Sequence, residues 1–152
     1  MAQGFSRALP GAGAAIMTVL FALPIAAQTL PHRAENQVPV AIVKIDRAPD
    51  HTAIHIQPQA ALAKVCFPAK GANSPYLLAN GRNYRYLGGD NVSACPERRD
   101  YTGAEVMVLR FEPLEAGSST FSFVSGQTDG KQSTDAISPT TPYWSFIRVR
   151  LD

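Results

Sequence analysis

The stretch of residues 105–126, EVMVLRFEPLEAGSSTFSFVSG, constrains the fold more than any other part of the sequence. Side chains alternate between the two faces of a strand, and large apolar residues recur with this period at both ends of the stretch. Pro113 and Gly117 interrupt the pattern, so we predict two strands joined by a loop. We expect the alternating residues to form one apolar wall on one side of a sheet, and these are Met107, Leu109, Phe111, Phe121 and Phe123.

Further strand-like segments lie along the rest of the chain, and none of them has helical periodicity. They span residues 40–46, 52–57, 62–67, 76–79, 82–87 and 143–151. Asn80-Gly81 is typical of a two-residue hairpin turn, because both positions of that turn need a positive φ. Roughly seven or eight short strands with frequent turns predict an all-β, antiparallel immunoglobulin-like sandwich. A small closed barrel is the alternative.

The alternation also predicts which side of each strand faces the core. The expected core residues are Val43 and Ile45 in the first strand, Ile54 and Ile56 in the second, and Ile147, Val149 and Leu151 in the last. The third strand has apolar residues on both parities. This pattern indicates either that both of its faces are partly covered or that a bulge interrupts it.

Residues 1–27 have the pattern of a secretory signal peptide. Arg7 supplies positive charge, residues 11–23 are apolar, and Ile25-Ala26-Ala27 fits a small-residue cleavage site. The apolar run is shorter than the roughly 20 residues of a membrane-spanning helix. We predict cleavage after Ala27 and a periplasmic or secreted protein with no membrane span, and an uncleaved anchor is the alternative. Residues 28–37 then form a flexible lead, and residues 38–152 form the β-sandwich domain.

The cysteine content of the remaining chain is consistent with export. An even cysteine count in an exported chain favours one disulfide, here between Cys66 and Cys95. Two unpaired thiols are the alternative. A redox-active pair is disfavoured because the two residues lack C-x-x-C spacing.

Composition and motifs argue against several functions. The formal net charge is +2 and no basic block is present, which argues against a nucleic-acid partner. The sequence contains no G-x-S-x-G, H-E-x-x-H or phosphate-binding glycine loop. His51 and His55 would lie roughly 13 Å apart along a strand, too far for one metal ion. A copper site is also disfavoured, because Met107 falls in a core position and no Cys, His and Met cluster near the C-terminus.

The acidic residues do not form a recognisable catalytic pair. Nothing in their spacing singles out two that would face each other, so scattered surface charge is the preferred interpretation. The acids considered are Asp90, Glu97, Asp100, Glu105 and Glu112.

Aromatic residues beside arginines mark a candidate interaction surface. Tyr84 and Tyr86 share one parity in their strand, and regular alternation would place Trp144 on the same side as Arg148 and Arg150, away from the core. Exposed aromatic rings next to arginines are typical of carbohydrate and protein interfaces. The preferred alternative is that a bulge turns Trp144 inward, or that a second sheet covers this face.

Several segments together resemble small immunoglobulin-like sandwich domains of uncharacterised bacterial exported proteins. The segments are IVKI and AIHI, then PYLLANGRNY and DNV, then FEPL with Gly117, FSFVSG and YWSFIRVRL. The resemblance covers roughly residues 38–151. It implies a fold and an accessory role, and it transfers no catalytic or ligand residue.

We therefore expect an exported, non-enzymatic β-sandwich that binds a protein partner or a cell-envelope component. A carbohydrate-binding module is one alternative, and it requires exposed coplanar aromatic rings. A small hydrolase or lyase is the other, and it requires two facing carboxylates in a concave site. No catalytic, cofactor-binding or metal-binding residue is predicted.

Overall fold

A computed structural model describes residues 29–35, 38–71, 73–125 and 144–151. The predicted signal peptide, residues 1–27, lies outside these ranges. Strands are the only regular structure in the described residues, which confirms the all-β prediction. They are β1 His32–Arg33, β2 Val40–Arg47, β3 Thr52–Pro58, β4 Leu62–Val65, β5 Tyr76–Ala79, β6 Arg82–Asp90, β7 Arg99–Tyr101, β8 Met107–Phe111, β9 Thr120–Val124 and β10 Ser145–Arg150.

The main sheet has eight antiparallel strands in the order β1-β2-β3-β8-β6-β5-β9-β10, and it folds over at β6. Residues 82–85 of β6 pair with β5, whereas Tyr86 and residues 88–90 pair with β8, with a register shift between Tyr86 and Gly88. Strands that switch layers in this way make the corners of sandwiches. We call β1, β2, β3, β8 and the second half of β6 the front layer. The back layer is the first half of β6 with β5, β9 and β10.

The core lies between these two layers. All five residues of the predicted apolar wall are buried, but they come from both layers, so the prediction of a single wall is wrong. The physical reason is strand pairing. β8 pairs with β3 and β6, whereas β9 pairs with β5 and β10.

Several local predictions are confirmed. Asn80 and Gly81 have φ angles of 51° and 74°, as the predicted hairpin turn requires. Ile54 and Ile56 are fully buried in β3. The register of β4 shifts between Leu62 and Val65, so the bulge interpretation of the third strand is correct.

A bulge in β2 overturns one predicted core position. The register with β3 shifts between Ile42 and Lys44, so Val43 lacks a partner and does not join the core cluster. Ile42 is fully buried instead, and Ile45 packs against the core as predicted.

The outer strands of the two layers approach each other. The Glu35 backbone N–H donates to the Ser145 carbonyl oxygen at 2.7 Å, and the rings of His32 and Phe146 lie 5.8 Å apart. β1 lies within the predicted lead, where His32 and Arg33 pair with Ile42 and Ala41 of β2. The buried ring of His32 ties this segment to the core.

The predicted disulfide between Cys66 and Cys95 is present. The two backbone segments also bond to each other, since the Phe67 N–H donates to the Ser93 carbonyl and the Cys95 N–H donates to the Phe67 carbonyl. β4 and β7 form a small separate sheet beside this link. The loop that enters β5 is therefore anchored where it begins.

The described residues contain no apolar helix of membrane-spanning length.

Candidate functional site

The structure divides the predicted interaction surface between the core and the exterior. Tyr84 and Trp144 are buried, with 0% and 3% of their surface exposed, so neither lies on the candidate interaction surface. Arg148 and Arg150 are exposed on β10, and Tyr86 is half-buried. The five residues therefore do not form one surface.

A bulge in β10 explains the burial of Trp144. The register with β9 shifts between Phe146 and Val149, and Arg148 has a φ of 54°. Phe146 and Val149 are fully buried on either side of this bulge, whereas Ile147 is 41% exposed. The preferred interpretation of Trp144 is therefore correct, and the prediction that Ile147 faces the core is wrong.

The side chains of Trp144 and Tyr84 pack in the core and do not contribute to a surface. The Trp144 ring packs edge-on against Phe67 with centroids 5.1 Å apart, and its backbone N–H donates to the Ser125 hydroxyl at 3.0 Å. Tyr84 pairs across strands with the buried Leu77, and the Arg82 guanidinium lies 4.9 Å from the centre of its ring. Regular alternation along β6 accounts for the burial of Tyr84.

The outer face of the back layer is formed by residues other than Trp144 and Tyr84. Tyr76, Val124 and Ser145 lie side by side across β5, β9 and β10. Leu78 lies beside Ser122 in the next row and is 39% exposed. We call this set the outer face, and it also includes Ile147, Arg148, Asn83 and Arg85. The alternation around Leu77 is the sequence signal that could have identified Tyr76 and Leu78.

An open groove of about 640 Å³ lies where the loop before β5 meets β5 and β6. Its volume is in the range typical of small-molecule sites. The loop contributes Ala69, Lys70, Gly71, Ser74 and Pro75, and the strands contribute Tyr76, Asn83, Arg85 and Tyr86. Only Tyr86 of these belongs to the surface predicted from the sequence.

The described lining of the groove is cationic. Lys70 and Arg85 line it, and no carboxylate does. Lys70 makes no ion pair with any described residue. Arg85 Nε donates to Glu112 Oε1 at 2.8 Å, and the Arg85 backbone N–H donates to Glu112 Oε2 at 3.0 Å. These bonds lower the pKa of Glu112, and the Arg85 side chain remains 79% exposed.

Tyr86 presents a phenol at one end of the groove. Its ring packs against Phe111 and Phe67, with centroids 5.7 Å and 6.3 Å away. Burial raises the pKa of this phenol to about 12, so it stays protonated and able to donate a hydrogen bond at neutral pH. Its hydroxyl bonds to no described residue, and the Tyr86 side chain lines the groove.

Four of the five considered carboxylates bind separate donors, and the partner of Glu112 is Arg85. Asp90 bonds to Arg110, Glu105 to Arg99 and the Thr102 N–H, and Asp100 to the Lys64 N–H. The hydrogen bond from Arg110 lowers the pKa of Asp90, and that from the Thr102 N–H lowers the pKa of Glu105. A carboxyl group with a lowered pKa is ionised at neutral pH and is a poor general acid.

The histidines are engaged locally. His51 bonds to Asp50 and His55 bonds to Asp46, each at 2.8 Å. Within the described ranges, no three His, Cys, Asp or Glu side chains are grouped so that they could hold a metal ion.

Comparison with protein-family models, with curated proteins and with solved structures finds no match to this chain.

Proposed function

We propose that this chain is an exported, non-enzymatic binding module whose groove receives a component of the cell envelope. The observation that carries the proposal is the described groove lining, which combines cations, phenols and a side-chain amide with no carboxylate or histidine. Such groups can bind and orient a ligand. The described lining lacks the paired carboxylates with which glycoside hydrolysis ordinarily proceeds.

Export is supported by two independent features. Residues 1–27 have the three regions of a secretory signal peptide. The disulfide between Cys66 and Cys95 is a bond that persists in oxidising compartments. Together they favour a periplasmic or secreted protein.

The strand order supports a relationship to immunoglobulin-like domains. The order β2-β3-β8-β6 in the front layer follows strands A, B, E and D of such domains, and β5-β9-β10 follows C, F and G. The disulfide differs, because it joins the loops before β5 and after β6 instead of the central strands β3 and β9. Many domains of this architecture act by binding, although fold alone does not assign a function.

Export is tested by expressing the full chain in a bacterium with a periplasm and determining the N-terminus of the protein in the periplasmic fraction. We expect a chain that begins at Gln28 and contains the oxidised cysteine pair. A cytoplasmic protein that retains Met1 would contradict the proposal.

Binding is tested by a thermal-shift panel of cell-wall fragments, oligosaccharides, divalent metals and small anions. A ligand that binds only the folded state increases the free energy of unfolding by RT ln(1 + [L]/Kd) and so raises the melting temperature. We expect a dose-dependent increase for a compound from the envelope classes. Chromatography of the same samples should show the compound unchanged, and conversion to a product would overturn the non-enzymatic assignment.

A further inference from the structure

We infer that the groove binds an acidic saccharide, with Lys70 and Arg85 contacting its carboxylates and the Tyr86 hydroxyl and the Asn83 amide contacting its hydroxyls. This inference rests on the proposed function and adds the chemical class of the ligand. It commits to a sugar acid rather than a neutral sugar or an acidic peptide.

The charge of the groove favours an anion. Lys70 is exposed and has no carboxylate partner in the described chain. Arg85 has one carboxylate partner, Glu112. Arg85 Nη2 and Nε both approach Glu112 Oε1, while Nη1 contacts no described acceptor. Because a guanidinium binds carboxylates through paired N–H groups, Nη1 and the second N–H of Nη2 can donate to a second carboxylate.

The neutral groups of the groove favour a sugar as the carrier of that anion. The Tyr86 hydroxyl and the Asn83 side-chain amide make no hydrogen bond to described residues, and both line the groove. Sugar hydroxyls both donate and accept, so they can satisfy an amide and a phenol together. The phenol rings add apolar area beside these polar groups, which an inorganic anion would leave unused.

The geometry of the strands disfavours an extended peptide. β5 is hydrogen-bonded to β6 on one side and to β9 on the other, so β5 itself has no open edge to which a peptide strand could add. Asn83 in the groove pairs across strands with Leu78 on the outer face. A saccharide longer than the groove could therefore continue along that face toward Arg148.

The test is calorimetric titration of the exported protein with trigalacturonic acid, its methyl ester and a hexaglutamate peptide. The methyl ester keeps the sugar rings and hydroxyls and removes the negative charge. We expect the acid to bind about tenfold or more tightly than its ester, as charge-assisted hydrogen bonds imply. Raising the salt concentration should weaken binding of the acid.

Two variants of the groove and one control locate the site. Lys70→Gln should weaken binding of the acid about tenfold, the effect of one lost charge-assisted bond. Tyr86→Phe keeps the packing against Phe67 and Phe111 and should weaken binding roughly two- to tenfold. Arg33→Gln removes an exposed cation of β1 that does not line the groove, and it should leave the affinity unchanged.

The possible failures are distinguishable. Equal binding of acid and ester, or full affinity in Lys70→Gln, would overturn the ligand class and leave a binding module in place. Tighter binding of hexaglutamate than of trigalacturonic acid would overturn the inference and assign the groove to a protein partner. The absence of any binding would also overturn the inference. Cleavage of any of the sugars would overturn the proposed function itself.

Discussion

The ring of Phe111 in β8 stands edge-on to the ring of Phe123 in β9, with centroids 5.7 Å apart and planes at 84°. The two strands follow one another in sequence and lie in opposite layers. Both rings are fully buried, so this contact joins the two layers within the core. Edge-to-face packing of this kind adds about 0.5–1.5 kcal/mol beyond the burial of apolar area.

Truncation of Phe123 should therefore be costly. We expect Phe123→Ala to lower the free energy of unfolding by about 3–5 kcal/mol, because it removes a buried ring and leaves a cavity. Leu78→Ala, on the outward side of the adjacent β5, should cost far less since Leu78 is 39% exposed. Urea denaturation measures both values, and equal losses would contradict the assignment of these side chains to core and surface.

Gly89 should not tolerate a side chain. β6 approaches β8 so closely that a Cβ atom at Gly89 would lie 2.0 Å from the Val108 carbonyl oxygen. We expect Gly89→Ala to lower the free energy of unfolding by about 1–3 kcal/mol, the usual cost of overpacking. Gly117→Ala is the matched control, since a Cβ atom there meets no atom within 4 Å. A neutral effect at Gly89 would mean that β6 and β8 are further apart.

Reduction of the disulfide should destabilise the domain. The bond between Cys66 and Cys95 closes a loop with a sequence separation of 29 residues. The chain-entropy model assigns such a loop roughly 3–4 kcal/mol. Guanidinium denaturation with and without a reductant measures this difference. The Cys66→Ala, Cys95→Ala double variant should be less stable than the oxidised protein and insensitive to the reductant.

The buried ring of His32 should make stability depend on pH. Burial lowers the pKa of His32, and this effect outweighs the Glu35 carboxylate, which lies 3.6 Å from Nε2 and raises the pKa. The unfolded chain then binds a proton more readily than the folded one. The contribution of His32 to the free energy of unfolding is complete above its pKa of about 6.5 in the unfolded chain. This contribution is lost as the pH falls toward the lower pKa of His32 in the folded protein.

Replacement of this ring tests the effect. His32→Phe keeps a ring beside Phe146 and removes the titrating group. From pH 7 to pH 5, the free energy of unfolding should fall more steeply in the unmodified protein than in the variant. Parallel curves would show that His32 makes no contribution.

Features with a local cause could be predicted from the sequence. The Asn80-Gly81 turn follows from the φ angles that these residues tolerate, and the disulfide follows from the cysteine count of an exported chain. The alternation of apolar residues correctly identified the buried sides of β3, β8 and β9. Each of these signals lies within a few residues or in the overall composition.

Features that depend on distant pairing or on one unusual dihedral angle could not be predicted. Arginine is not a residue type that indicates a positive φ, yet Arg148 adopts one. The bulge at this position places Trp144 in the core and Ile147 on the exterior, the opposite of what regular alternation predicts. Nothing in the sequences of β8 and β9 indicates that these two strands pair with other strands and not with each other. The groove was missed for the same reason, because Lys70 and Arg85 meet only when the loop folds against β6.

The most direct test of the proposed binding site is a backbone-amide NMR titration of the ¹⁵N-labelled exported protein with trigalacturonic acid. We predict that the largest shift changes occur at amides of the groove, at Lys70, Gly71, Tyr76 and Arg85, and that they saturate with added ligand. Amides of β2 and β3 in the front layer should remain unchanged. Shift changes concentrated in the front layer, or none at saturating ligand, would contradict the assignment of this groove as the binding site.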